Sequence, residues 1–78
     1  MKGRWKEMKY FEDIDCWVVY WGDNRGYKVR CGDWFELHLG EGRKLSCRME
    51  LGREWYIIVG RNETKLYLKP NETYQVDI

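Results

Sequence analysis

The sequence predicts an all-β fold, either a small SH3-like barrel or a meander of five to seven antiparallel strands. Alanine is absent, glutamine occurs once, and aromatic residues make up 17% of the 78 positions. This composition disfavours helices and favours strands. Short apolar runs also alternate with a period of two and are separated by Gly, Asn or Asp, as in small β proteins. At this length we expect a single domain over residues 1–78.

Seven strands follow from this alternation, five of them well bounded and two shorter. They span Cys16–Trp21, Gly26–Cys31, Trp34–Leu39, Lys44–Leu51 and Trp55–Val59, followed by the shorter Lys65–Lys69 and Thr73–Ile78. Glycine-containing turns, such as those at 22–26 and 40–42, lie between them and favour hairpins. We therefore expect each strand to pair with the next one along the chain.

The first fifteen residues carry two conflicting signals. Trp5, Met8 and Phe11 have the spacing of a helix, whereas Gly3 and the strand-rich sequence that follows favour extended structure. We expect a short strand and a loop in this segment.

Odd-numbered side chains between Val29 and Leu51 are expected to form the core. They comprise Val29, Cys31, Phe35, Leu37, Leu39, Leu45, Cys47, Met49 and Leu51, and later strands continue this face with Leu66, Leu68, Tyr74, Val76 and Ile78. Because side chains alternate across a strand, even-numbered ones should face solvent. The Trp55–Val59 segment is apolar on both faces, which predicts a central strand.

The charge balance excludes several classes of protein. Fourteen Lys and Arg against thirteen Asp and Glu give a net charge of +1, unlike a strongly basic nucleic-acid binder.

No apolar run approaches the ~18 residues of a membrane span, and the segment before Cys16 lacks the apolar stretch of a secretory signal. Three cysteines without CxxC spacing argue against disulfides and zinc. We expect a cytoplasmic protein with no membrane association and no cofactor.

No combination of residues predicts catalysis. Cys31 and the single histidine, His38, are the available nucleophile and base, but their positions point to opposite faces of the sheet. Glu36 and Glu50 are better explained as outward partners of basic residues on neighbouring strands than as an acid/base pair. We therefore expect neither an enzyme, nor a metal site, nor a small-molecule substrate.

The face opposite the core carries the candidate partner-binding residues. Lys28, Arg30, Trp34, His38 and Arg48 should lie side by side there on three neighbouring strands. Exposed Trp and Arg residues are anchors of protein interfaces, which makes a protein partner our first hypothesis. Aromatic rings flanked by cations also bind single-stranded nucleic acids, which is the alternative. A third interpretation is an ordinary solvated surface with Trp34 capped by another segment.

Three short motifs resemble a known family. They are Cys31-Gly32-Asp33 within the segment Gly26–Leu37, Arg48-Met49-Glu50, and Trp55-Tyr56-Ile57. In this order they resemble small proteins of Gram-positive bacteria and their mobile elements, a family known as a domain of unknown function. The resemblance covers about two-thirds of the chain, from Gly26 to the end, and implies a compact, β-rich bacterial protein. It supplies no catalytic or ligand-binding residues.

Overall fold

Eight antiparallel strands form one sheet in the computed structural model, which describes residues 5–20 and 25–78. The strands are β1 (Lys6–Phe11), β2 (Cys16–Tyr20), β3 (Gly26–Lys28), β4 (Trp34–Gly40), β5 (Arg43–Leu51), β6 (Trp55–Val59), β7 (Thr64–Tyr67) and β8 (Tyr74–Asp77). These two ranges contain no helix. The all-β class is therefore confirmed, and β1 with its following turn agrees with the strand and loop expected before Cys16. Trp21 and most of the predicted 22–26 turn lie outside the described residues.

The strand order is β3-β2-β1-β8-β4-β5-β6-β7. Pairing of sequential strands is confirmed within β1–β3 and within β4–β7, but the prediction is wrong between β3 and β4 and between β7 and β8. The last strand, β8, lies between β1 and β4, so that Val76 is the register partner of both Lys6 and Leu37. The fold therefore consists of two meanders that the C-terminal strand joins into one sheet.

The sheet is not a closed barrel, and the expected SH3-like architecture of five to seven strands is not confirmed. Its edge strands, β3 and β7, stand at opposite ends of the strand order. β3 is three residues long because the chain turns away after it. The Gly32 amide then donates a 2.7 Å hydrogen bond to the carbonyl of Met49 on β5. The chain therefore contacts the second meander soon after β3 ends, and β3 remains short.

One face of the curled sheet forms the core. Its buried members are Met8, Trp17, Val19, Val29, Phe35, Leu37, Cys47, Met49, Ile57, Leu68 and Val76. The inward orientation predicted for Val29, Phe35, Leu37, Cys47 and Met49 is confirmed, and Leu45 and Tyr74 pack against the same cluster. Met8, Trp17 and Val19 were not predicted, and they extend the core across β1 and β2.

Five predicted core residues are instead exposed, and each lies where a strand or the sheet ends. Cys31 lies in the turn after β3, Leu39 lies at a register shift between His38 and Gly40, and Leu51 is the last residue of β5. Leu66 is on the edge strand β7, and Ile78 follows β8. The prediction of a central position for the Trp55–Val59 strand is also wrong, because β6 is second from the edge.

The Cys31-Gly32-Asp33 turn connects the two meanders. Gly32 has a φ of 93°, which favours glycine because it has no Cβ. The Asp33 carboxylate accepts hydrogen bonds from the Arg30 amide at 2.8 Å and from the Tyr27 hydroxyl at 2.7 Å. Asp33 therefore caps the turn, and the turn sets the start of β4.

Candidate interaction surface

Trp34 and Arg48 form the centre of the outer surface of the second meander. They are register partners on β4 and β5, and the Trp34 side chain is 60% exposed. The Arg48 guanidinium carbon lies 5.6 Å from the centroid of the Trp34 ring, within the range of a cation–π interaction. Arg48 Nε also donates a 2.6 Å hydrogen bond to Glu50 Oε2. Glu50 therefore holds Arg48 in place against the exposed ring.

A second cation–aromatic group lies beside the first. Lys65 on β7 places its Nζ 5.0 Å from the centroid of the Tyr56 ring on β6, and the rings of Tyr56 and Tyr67 are 5.6 Å apart. The register aligns Trp34, Arg48, Ile58 and Lys65 in one row across β4–β7, and Glu50, Tyr56 and Tyr67 in the next. We call these seven residues the aromatic face.

Sequence reasoning missed Tyr56, Ile58, Lys65 and Tyr67. The signal was present, because Tyr56 and Ile58 flank the inward Ile57, just as Lys65 and Tyr67 flank Leu66. Alternation alone therefore places all four on the outer side.

A shallow cavity of about 410 Å³ lies next to Trp34 on this face. Leu45 and Ile58 give it apolar lining, while Arg61 and Glu63 contribute charges of opposite sign. A cavity beside an exposed aromatic ring and an ordered arginine is suited to an anchoring side chain of a partner.

His38 lies on the outer side of β4 but is separate from the aromatic face. Its ring contacts Trp5, with 4.5 Å between the ring centroids, and its Nδ1 is buried without a hydrogen-bond partner among the described residues. Four residues of strand, about 13 Å, separate it from Trp34. His38 therefore packs beneath the segment that leads into β1.

The sequence predicted that Lys28 and Arg30 would lie on a strand next to that of Trp34. The structure contradicts this, because Lys28 is the last residue of β3 and Arg30 follows the end of that strand. Three strands, β2, β1 and β8, lie between β3 and β4 in the sheet. Arg30 begins the turn that leads to Trp34, and its amide donates a hydrogen bond to the Asp33 carboxylate in that turn. Of the five predicted residues, the structure brings Trp34 and Arg48 together.

The cysteines differ in environment. Cys31 is exposed, and its Sγ is 3.7 Å from Glu50 Oε1 rather than beside His38. Cys47 is buried, and this burial raises the pKa of its thiol to about 12. No group of three His, Cys, Asp or Glu residues in the described segments is placed to hold a metal ion.

We expect Cys31 to react with iodoacetamide in the native protein and Cys47 to react only after unfolding. The protonated thiol of Cys47 is shielded and is a poor nucleophile. Because folding raises the Cys47 pKa, its contribution to stability should be constant below pH 9 and should decline as the pH rises from 9 towards 12. Peptide mass spectrometry after timed alkylation at pH 8 measures both rates. Rapid native labelling of Cys47 would contradict the structure.

Comparisons with known proteins place the chain in a family. No curated protein and no solved structure gives a significant match. The family described as "Domain of unknown function (DUF5348)" matches residues 6–78, which include all eight strands. In the residues that the structure describes, no helix is long and apolar enough to cross a membrane. The expected membership of a domain-of-unknown-function family is confirmed: the chain belongs to the DUF5348 family.

Proposed function

We propose that this protein is a non-enzymatic interaction module that binds a protein partner through the aromatic face. The observation that carries the proposal is Trp34, which is 60% exposed while Arg48 and Glu50 restrain the surface around it. Binding to a surface that is already ordered loses less conformational entropy. Trp, Tyr and Arg, which dominate the energetics of protein interfaces, are all present here.

The charges on and around this face favour a protein over a nucleic acid. Arg48 is paired with Glu50, and Lys44 Nζ lies 3.4 Å from Glu36 Oε1 on the same side of the sheet. Glu63 accompanies Arg61 at the cavity. Phosphate backbones require a surplus of cations, whereas a surface of alternating sign complements another protein. The partner we propose carries an apolar or aromatic anchor among charges of both signs.

Single-stranded nucleic acid is the second candidate because of one specific observation. The rings of Trp34, Tyr56 and Tyr67 lie on one open sheet surface, and a cation stacks on each of the first two. Sheets that present aromatic rings in this way stack successive bases. This candidate requires an affinity that falls steeply with salt.

We also propose a cytoplasmic location in a Gram-positive bacterium or one of its mobile elements. This proposal rests on the resemblance of the Cys31-Gly32-Asp33, Arg48-Met49-Glu50 and Trp55-Tyr56-Ile57 motifs. Sequencing the genomic neighbourhood of the gene would test the bacterial assignment, and cell fractionation would test the location.

Trp34→Ala should strongly weaken partner binding without unfolding the protein. Proteins captured on the wild type would be identified, purified and titrated by calorimetry against wild type, Trp34→Ala and Leu39→Ala. Leu39 is a matched control because it is 53% exposed and lies outside the aromatic face. We expect Trp34→Ala to weaken binding about 30-fold or more and Arg48→Ala about tenfold, with Leu39→Ala unchanged.

The same variants distinguish the two candidates. Mixed oligonucleotides would be titrated against tryptophan fluorescence at low and high salt. Binding that depends on Trp34 and weakens with salt, in the absence of a purified protein partner, would replace the first candidate with the second. A partner whose affinity is unaffected by both Trp34→Ala and Arg48→Ala would refute the assignment of this face.

A further inference from the structure

A second cavity, of about 370 Å³, opens between the β1–β2 turn and the β5–β6 turn. It lies away from the aromatic face and shares no residue with it. Three aromatic side chains line it, Tyr10 from β1, Trp17 from β2 and Trp55 from β6. The Tyr10 and Trp17 ring centroids are 5.5 Å apart, and the two planes are inclined at 51°. Trp17 is 1% exposed, so its ring packs against Tyr10 and supports it rather than forming an open side of the cavity.

Asp15 holds the Tyr10 and Trp55 side chains in place through hydrogen bonds. The Tyr10 hydroxyl donates a 2.5 Å hydrogen bond to Asp15 Oδ1, and the Trp55 indole N–H lies 3.3 Å from the same oxygen and 3.2 Å from the Asp15 carbonyl. The hydrogen bond to Asp15 raises the pKa of Tyr10 to about 12. The polar ends of both rings are thus occupied, and their remaining surface is apolar and rich in π electrons.

The charged groups at the cavity are two carboxylates and one cation. Asp15 and Glu54 contribute negative charge and Arg53 contributes positive charge, which gives a formal sum of −1. Aromatic faces and excess negative charge both attract cations. A primary ammonium group would lose strong hydration here, whereas a fully alkylated ammonium group has no N–H to satisfy and presents methyl groups to the rings.

We propose that this cavity binds a quaternary or trimethylated ammonium group. The carboxylate of Asp15 supplies the nearby counter-charge, and the partly exposed rings of Tyr10 and Trp55 contact the methyl groups. The sequence had predicted no small-molecule substrate, and the proposal is one of binding rather than of turnover. Two natural sources share this chemistry, namely free metabolites of the choline type and trimethyllysine in a protein.

The primary test compares choline with its neutral isostere, in which a tert-butyl group replaces the trimethylammonium group. Each would be titrated into the full-length wild-type protein by calorimetry and by chemical-shift changes of the Trp55 indole N–H. We expect choline to bind about tenfold more tightly than the neutral isostere. Equal affinities, or tighter binding of the neutral isostere, would overturn the proposal.

Two substitutions, which remove charges of opposite sign, test the electrostatic part of the proposal. Glu54→Gln should weaken choline binding and Arg53→Gln should strengthen it, each about two- to fourfold, because they remove an attractive and a repulsive charge respectively. A purely structural disturbance would not reverse sign between neighbouring positions. Leu39→Ala is the control and should leave choline affinity unchanged, because Leu39 is exposed and does not line this cavity. Equal affinity of both charge variants and wild type would refute the proposal.

A final pair of ligands distinguishes the sources. A short peptide with trimethyllysine would be compared with the same peptide carrying unmodified lysine. Tighter binding of the trimethylated peptide than of choline identifies a modified protein as the source, and the reverse order identifies a free metabolite. Equal binding of the two peptides at an affinity above that of choline would show recognition of the peptide itself and would contradict the proposal.

Discussion

Trp17→Ala is expected to lower the free energy of unfolding by about 3 to 5 kcal/mol, the range for removing a large aromatic side chain from a core. Trp17 is 1% exposed, and its ring packs against Tyr10 at 5.5 Å and Tyr74 at 5.8 Å. These neighbours belong to β1 and β8, so the lost contacts span the first meander and the joining strand. Domains are often stable by only about 5 to 15 kcal/mol, and a loss of this size would unfold a marginal one.

Trp34→Ala provides the matched control for Trp17→Ala. The residue type and the change are the same, but Trp34 is largely solvated, so we expect a loss below about 1 kcal/mol. Urea denaturation followed by circular dichroism measures both variants, since the signal does not depend on a single tryptophan. Equal losses for the two variants would mean that Trp34 belongs to the core and that the aromatic face is wrongly assigned.

Val76→Asp is expected to cost about 4 kcal/mol or more and to prevent stable folding. Val76 is 0% exposed, and its backbone pairs with Lys6 of β1 on one side and Leu37 of β4 on the other. An aspartate there would bury a carboxylate among apolar side chains at the junction of the two meanders. Because β8 links the two meanders, we expect both to be lost in a single transition.

Thr73→Asp is the control for Val76→Asp. It introduces the same carboxylate at an exposed position immediately before β8, where surface substitutions usually change stability by less than about 0.5 kcal/mol. Circular dichroism and amide hydrogen exchange of both meanders give the measurement. A Val76→Asp protein that retained protected amides in β4–β7 would show that the second meander folds independently and that β8 is not required for it.

The alternation of apolar residues was sufficient to locate the strands and most of the core. Phe35, Leu37, Cys47 and Met49 face inward because neighbouring side chains in a strand must point to opposite sides. The same rule failed for Leu39, where the register shifts, and for Cys31, which lies in a turn. Alternation describes residues within regularly paired strands, and it does not show where that pairing shifts or ends.

Part of the candidate site could be predicted for a similar reason. Trp34 and Arg48 lie on consecutive strands, and the short turn between β4 and β5 determines their register locally. Lys28 belongs to the other meander, and its distance from Trp34 depends on the order of distant strands. The cavity around Asp15 brings Tyr10 and Trp55 together across 45 positions of sequence, and no local pattern indicates that contact.

Local sequence patterns establish the all-β class, the positions of the strands, the inward side of the central strands and the pairing within each hairpin. All of these follow from side-chain alternation and turn chemistry, which act over a few residues. Three features are visible only in the folded chain: β8 lies between β1 and β4, the sheet remains open, and Asp15 contacts Trp55. Those features depend on which distant apolar surfaces bury one another, a global balance of packing and chain entropy that neighbouring residues do not specify.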